Sequence, residues 1–474
     1  MLEMIENKIK KTSVINWCLW ALYTFIIVFL ASRHEPWGDE YHVWSMSYRL
    51  SLADIWDMMR VEGHFSLWNY LVAFWVKLFG MDWRALYMVS LPLMSAAAWL
   101  LLFKVNFPLL GKILVIFSAP FIYDFPVIAR CYALIPPVVI GLVIAYQNNK
   151  PLLFCVLLGL LANTHAYMEG MVAALWLAYV YEEVALKWRV DHDRAIKALG
   201  YSMIVIAFVL FAFIQVGGGI ADAANGVGPA IKSAQSSTGW ISRFYASHQI
   251  YFTSDLKSNY FNWIPDVDLV ITLIIATTAV CALYKALSND GRMSWFILAI
   301  IVISCGWQVL FAVNIYGMAY QRAFLILIPV IMMLCVPQLD RVRKRSALIA
   351  LACIFLMNTS RGIFPIGGDI FKEYSQDISR ARQIDGVIPP GKTIYIMPES
   401  KSLVYFFYLL KREINQLEDI ETFPDTEQDV FLISTRQLSK EDFPSKKMET
   451  LFKGNYHHKD KADDGIEYFI YKIN

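Results

Sequence analysis

Apolar and polar residues come in blocks along this chain. Long apolar runs fall near 14–32, 85–103, 106–123, 131–146, 151–166, 168–186, 199–216, 267–285, 294–312, 323–337 and 346–358. Each is at or near the roughly 20 residues a helix needs to cross a bilayer, and the pattern predicts about 11 transmembrane helices. Several runs are short and require tilt or local thinning of the bilayer. The first, Val14–Ser32, follows Lys8, Lys10 and Lys11. It exceeds the roughly 7–15-residue apolar core of a secretory signal and reads as an uncleaved first span.

The stretch 65–80 (FSLWNYLVAFWVKLFG) is apolar and aromatic but short, and it carries Asn69 and Lys77. Loop charge decides how it is read, because cytoplasmic loops collect Lys and Arg. If 65–80 lies in the interface and the N-terminus is cytoplasmic, the clusters at Lys104/Lys112, Lys150, Lys187/Arg189/Arg194/Lys197, Lys285/Arg292 and Arg341/Arg343/Lys344/Arg345 all fall on the cytoplasmic side. We therefore read 65–80 as an amphipathic juxtamembrane helix. Three polar segments then lie outside the cytoplasm: a first loop at 33–84, a Gly- and Ser-rich loop at 217–266, and the tail.

Composition shifts abruptly near 360. Residues 1–360 form the membrane part, and 361–474 read as a small soluble α/β domain, with strands at 392–396, 429–433 and 467–471 and helical spacing at 374–387 and 400–412. Over the 474 residues, 57% are hydrophobic and 17% charged, against roughly 45–50% and 25% in soluble chains. Forty-two Lys and Arg against 40 Asp and Glu leave a net charge of +2, with no basic field to hold nucleic acid. The seven cysteines lie in or beside apolar runs without a CxxC pair, which argues against a disulfide framework or a thiolate zinc site.

The candidate chemistry gathers in the first loop, which opens Arg33-His34-Glu35-Pro36-Trp37-Gly38-Asp39-Glu40-Tyr41-His42. Adjacent carboxylates at a membrane surface suit a reaction on a lipid-borne, phosphate-linked group. One carboxylate takes a proton from an incoming hydroxyl, and cations hold the phosphate that leaves. A structural role fits the same residues: Asp39 and Glu40 also suit the start of a helix over Tyr41–Arg60. His64, in Glu62-Gly63-His64-Phe65-Ser66, suits a lipid phosphate or simply an interface. His34, Asp39, Glu40, His42 and His64 show no recognised metal-ligand spacing. No cofactor is required on this reading, and a divalent metal stays open.

Further along, Asp124 and Arg130 lie six apart between apolar runs, and Arg322 precedes the tenth run. Charges near membrane depth persist where they pair or line a polar cavity. Either arginine also suits a headgroup contact, and Arg130 a pair with Asp124. Asn163-Thr164-His165-Ala166-Tyr167, with Glu169 beyond, reads as a polar turn or a cavity wall.

Taken in order, these segments resemble the GT-C class of polyprenyl-phosphate-sugar glycosyltransferases. The similarity is greatest to bacterial relatives of the protein O-mannosyltransferases and lipid A aminoarabinose transferases of glycosyltransferase family 39. It rests on Asp39-Glu40 after the first span, Gly63-His64 opening an aromatic helix that ends Leu78-Phe79-Gly80, and Ala129-Arg130-Cys131-Tyr132-Ala133-Leu134. Thr164-His165-Ala166-Tyr167 and Arg322 before a span containing Pro329 complete it.

The resemblance implies a polytopic α-helical membrane protein of GT-C type. It implies Asp39, with Glu40 beside it, as the catalytic acid/base position, and His64, Arg130, Tyr132, His165 and Arg322 around the donor. The implied activity is inverting transfer from a polyprenyl-phosphate-linked sugar donor to a hydroxyl of a protein, lipid or glycan acceptor, at a bacterial plasma membrane. One departure stands out: Phe65-Ser66 follows His64 where many relatives have Pro-Pro.

A glycan polymerase or ligase using a lipid-linked oligosaccharide is the nearest alternative. A lipid or solute transporter is another, although transporters usually pair Gly/Pro-broken spans in two halves and Pro136-Pro137 has no obvious partner. A non-catalytic scaffold that recruits partners through the tail is the last.

Overall fold

The apolar part of helix α1 (Leu2–Arg33), Ser13–Arg33, shows how this sequence folds without a water-facing polar side. Tyr23 and Ile27 are fully buried, while Val14, Leu22 and Phe25 stay exposed on the same helix. A helix apolar all round has one face for protein and another for lipid. The structure, a computed structural model, describes residues 2–36, 38–62, 65–224, 278, 281, 329–330, 333–334, 336–371, 377–397, 412, 414–417, 423, 430–439, 441–443, 447–458 and 461–473.

Among the described residues three helices are long and apolar enough to cross a membrane: Ser13–Arg33, Ala85–Lys104 and His192–Val216. The chain is a polytopic, mostly helical membrane protein with a small C-terminal α/β domain. After α1 come α2 (Gly38–Arg49), α3 (Leu52–Glu62), α4 (Leu67–Phe79), α5 (Ala85–Lys104), α6 (Leu109–Ile116), α7 (Ile135–Gln147), α8 (Pro151–Ala162), α9 (Glu169–Tyr179), α10 (His192–Ala224), α11 (Arg341–Phe371) and α12 (Asp377–Val387). The runs at 267–285, 294–312 and 323–337 lie largely outside the described residues.

The single helix expected over Tyr41–Arg60 is two helices. At the break, the Ser51 hydroxyl donates to Asp54 Oδ2 at 2.7 Å and accepts from the Asp54 amide at 3.1 Å. This reciprocal cap starts a new helix at Leu52. Helix α4 lies within the expected 65–80 segment and ends at Gly80, whose φ of 63° permits the left-handed cap. It buries Trp68, Val72, Ala73 and Val76 and exposes Phe74, Leu78 and Phe79. At about 1.5 Å per residue it is about 20 Å long, short of a roughly 30 Å hydrocarbon core.

The run at 106–123 is also broken, into α6 and a π-helical turn at Pro120–Asp124. Side chains of neighbouring helices hold that irregular segment: Tyr23 Oη donates to the Phe121 carbonyl at 2.7 Å and Ser90 Oγ to the Pro126 carbonyl at 2.8 Å. Non-helical backbone at such depth persists only where protein supplies its hydrogen bonds.

Two expected boundaries move. Helix α10 continues to Ala224, so the start of the loop read at 217–266 is helical, and the rest of that loop lies outside the described residues. Helix α11 runs through the boundary placed at 360. Its last turns pack Ile366 and Ile370 against Leu30, Tyr123, Val127 and Ile128, so they belong to the helical bundle.

Beyond α12, five strands form one sheet in the order β2-β1-β3-β5-β4. They are β1 (Ile394–Ile396), β2 (Ile414–Gln416), β3 (Val430–Ser434), β4 (Met448–His458) and β5 (Lys461–Ile473). The first three pair in parallel and β5 pairs antiparallel with β3 and β4. The fully buried run of β3 forms the middle of the sheet, as expected of a strand covered on both faces. Sequence reading located β1, β3 and the end of β5, but missed β2 and β4. The helix expected at 400–412 lies outside the described residues apart from Arg412.

Candidate functional site

The first turn of α2 and the segment 129–132 face each other where α1 ends. Asp39 stands in that turn, and Arg130 follows the irregular stretch pinned by Tyr23 and Ser90. Arg130 Nη1 donates to Asp39 Oδ2 at 2.6 Å, with 21% of the arginine side chain and 47% of the aspartate exposed. The pair is therefore within reach of a ligand, unlike a core ion pair.

The Arg130 guanidinium also lies 5.6 Å from the centre of the Tyr132 ring, close enough for a cation–π contact. Tyr132 in turn stacks on His165, with ring centres 5.0 Å apart and planes 28° from parallel. A continuous line of contacts thus runs Asp39, Arg130, Tyr132, His165. The 3-10 turn at Cys131–Leu134 aims Tyr132, and the break between α8 and α9 aims His165. Both are interruptions in apolar runs.

Glu40 takes another direction. It is fully buried; its Oε1 accepts the Ala129 amide at 2.8 Å and its Oε2 meets His34 Nε2 at 3.0 Å. His34 Nδ1 lies 2.6 Å from Asp369 Oδ2 on α11, and Tyr123 Oη donates to the same oxygen at 2.6 Å. Burial opposes charging of His34, but the Asp369 and Glu40 carboxylates outweigh it and hold the pKa up to about 10, from 6.5.

Five of the predicted residues, Asp39, Glu40, Arg130, Tyr132 and His165, come together. His64 and Arg322 lie outside the described residues. Phe65, next to His64, packs with Ala212, Val216 and Ala166, so that segment approaches the His165 turn. Glu169 at the start of α9 is buried, and its Oε1 has no hydrogen-bond partner among the described residues. Sequence reading missed Tyr123 and Asp369. No local signal marks Asp369, because its partner His34 is 335 residues away.

Among the described residues no group of three or more His, Cys, Asp or Glu is placed to hold a metal ion. Both ring nitrogens of His34 are already engaged by carboxylates. The site can present a carboxylate and a guanidinium side by side, with an aromatic stack behind them, at the end of a membrane-crossing helix.

No protein-family model matches the chain, and no curated protein matches it in sequence. Among solved structures, it is similar to ArnT from Cupriavidus metallidurans bound to undecaprenyl phosphate, at 10% identity and TM-score 0.46, covering 98% of each chain. It is also similar to ArnT from the same organism in the apo state, at 11% identity and TM-score 0.45, covering 99% of this chain and 98% of the other.

Proposed function

We propose that this protein is an integral-membrane, inverting glycosyltransferase that moves a sugar from a polyprenyl-phosphate donor to a hydroxyl acceptor outside the cytoplasm. The observation that carries this reading is the half-exposed carboxylate of Asp39, held by Arg130 where the first apolar helix ends. The order of the sequence motifs supports it, since the five segments that resemble the GT-C enzymes include every element of the contact line.

Asp39 is the base. It takes the acceptor hydroxyl proton as that oxygen bonds to the anomeric carbon, and the bond from carbon to phosphate oxygen breaks with its electron pair going to the departing polyprenyl phosphate. Arg130 supplies charge-assisted hydrogen bonds to that phosphate. In the free protein Arg130 is bonded to Asp39, so donor binding draws the guanidinium away and frees the carboxylate as the donor arrives. Tyr132 and His165 form an aromatic wall beside the cation, a surface suited to a sugar face. Glu40 belongs to the buried cluster behind the site, and the acid/base role falls to Asp39 alone.

The test is transfer from a radiolabelled polyprenyl-phosphate sugar to candidate lipid, glycan and peptide acceptors by the purified full chain. Asp39→Asn should slow transfer by about a hundredfold or more while leaving the fold intact. An Asp39→Asn protein as active as the parent removes Asp39 from the reaction. A parent that moves intact lipid-linked sugar across vesicles without breaking a bond shows a transporter instead.

A further inference from the structure

His34 sits where three separate parts of the chain meet: the end of α1, the Tyr123 turn, and the last turns of α11. Neutral imidazole has one N–H and one lone pair. Here both ring nitrogens face carboxylate oxygens, Asp369 at 2.6 Å and Glu40 at 3.0 Å, so both must donate and the ring carries both protons. The other oxygen of Glu40 then accepts the main-chain amide of Ala129. Glu40 is the neighbour of Asp39 in sequence, and Ala129 is the neighbour of Arg130. One unbroken chain of buried hydrogen bonds therefore ties α11 to both backbone turns from which the exposed pair projects.

We propose that Asp369 is a positioning residue for the Asp39–Arg130 pair, acting through His34, Glu40 and the Ala129 amide. The catalytic part of this inference rests on the glycosyl-transfer reading above; its geometric part does not. Without the bridge, α2 and the 129–132 segment are joined by apolar packing around Trp44 and Ala129 and by the part-exposed Asp39–Arg130 pair, for whose bonds water can compete. The buried bridge adds fixed donors and acceptors in a low-dielectric site, where such bonds are strong and their loss is expensive.

His34 does not titrate alone. Glu40 and Asp369 touch it, the Tyr123 hydroxyl shares the Asp369 oxygen, and the Tyr87 hydroxyl lies within electrostatic reach of both carboxylates, with Tyr41 and Glu35 in turn within reach of Tyr87. Removing the Asp369 charge releases the second imidazole proton at lower pH. A neutral His34 keeps only one of its two links.

Hydrogen–deuterium exchange on the full chain in detergent reads the bridge directly at the Ala129 amide. Asp369→Asn should raise exchange there by about tenfold or more, the scale of a lost charge-assisted hydrogen bond. It should lower kcat for sugar transfer by a comparable factor, with KM for the polyprenyl-phosphate donor within about twofold of the parent. The alkaline limb of the pH profile should move to lower pH.

Tyr123→Phe removes one bond to Asp369 and leaves His34 in place. It should shift exchange and kcat the same way by a smaller factor, and it keeps the test open if Asp369→Asn folds poorly. Unchanged Ala129 exchange in both variants overturns the proposal. Faster exchange with an unchanged kcat also overturns it, because the bridge would then hold the fold without setting the site. A parent protein that transfers no sugar defeats the glycosyl-transfer reading instead, and Ala129 exchange alone then decides whether Asp369 holds the turn.

Discussion

In the first turn of α2, Asp39 keeps 47% of its side chain exposed and meets one guanidinium, while its neighbour Glu40 is fully enclosed between an imidazole and a main-chain amide. A half-exposed carboxylate can exchange its partner for a substrate. A buried one cannot, because each of its oxygens is committed and desolvation makes an unpaired charge there very costly. Two residues of similar chemistry thus differ in access: the outer one is open to a ligand and the inner one is locked into the frame. Successive side chains on a helix point about 100° apart, which is enough to send one into the core and leave the other at the rim.

The sharpest way to break this comparison is to remove one charge at a time. Asp39→Asn should lower kcat by about 10²–10⁴-fold, the usual worth of a positioned general base. Its melting temperature in detergent should barely move, because the charge it loses is half-exposed. Glu40→Gln should do the reverse, lowering stability by about 3–5 kcal/mol as the cost of breaking a buried pair. Chemical denaturation of the detergent-solubilised chain measures it. Equal stability losses in the two variants would erase the distinction between rim and core.

A smaller effect follows from His34. Its pKa is raised from 6.5 to about 10 in the folded protein, so above pH 6.5 the unfolded chain gives up a proton that the folded chain keeps. The stabilisation is fully present below pH 6.5 and is lost as pH rises through about 10. Apparent melting temperature should fall across that window in the parent and change less in His34→Gln. The smallest effect is expected at the aromatic wall. Tyr132→Leu removes the stack on His165 and should weaken donor binding by about 0.5–1.5 kcal/mol, seen as a higher KM with little change in kcat.

Much of the molecule was legible in order. Long apolar runs must become helices when no water is present to satisfy the backbone, so α1, α5 and α10 could be placed from hydropathy alone. The short continuous apolar run of β3 likewise marked a strand of the C-terminal domain. Shorter runs were harder. The break between α2 and α3 depends on the Ser51–Asp54 cap, and the break after α6 depends on Tyr23 and Ser90 reaching in from other helices.

At the site, Asp39 was visible as half of a carboxylate pair in the first loop, Arg130 and His165 as polar residues between apolar runs, and Tyr132 through the resemblance. A charge at membrane depth is expensive enough to stand out without a structure. What no reading of the chain could decide was which of Asp39 and Glu40 faces outward, or that Asp369 closes the cluster behind them. Hydropathy and motif order are local properties, carried by neighbouring residues. The direction of a side chain and the partner of a buried charge depend on segments hundreds of positions apart meeting in space, and only the packed helices determine that.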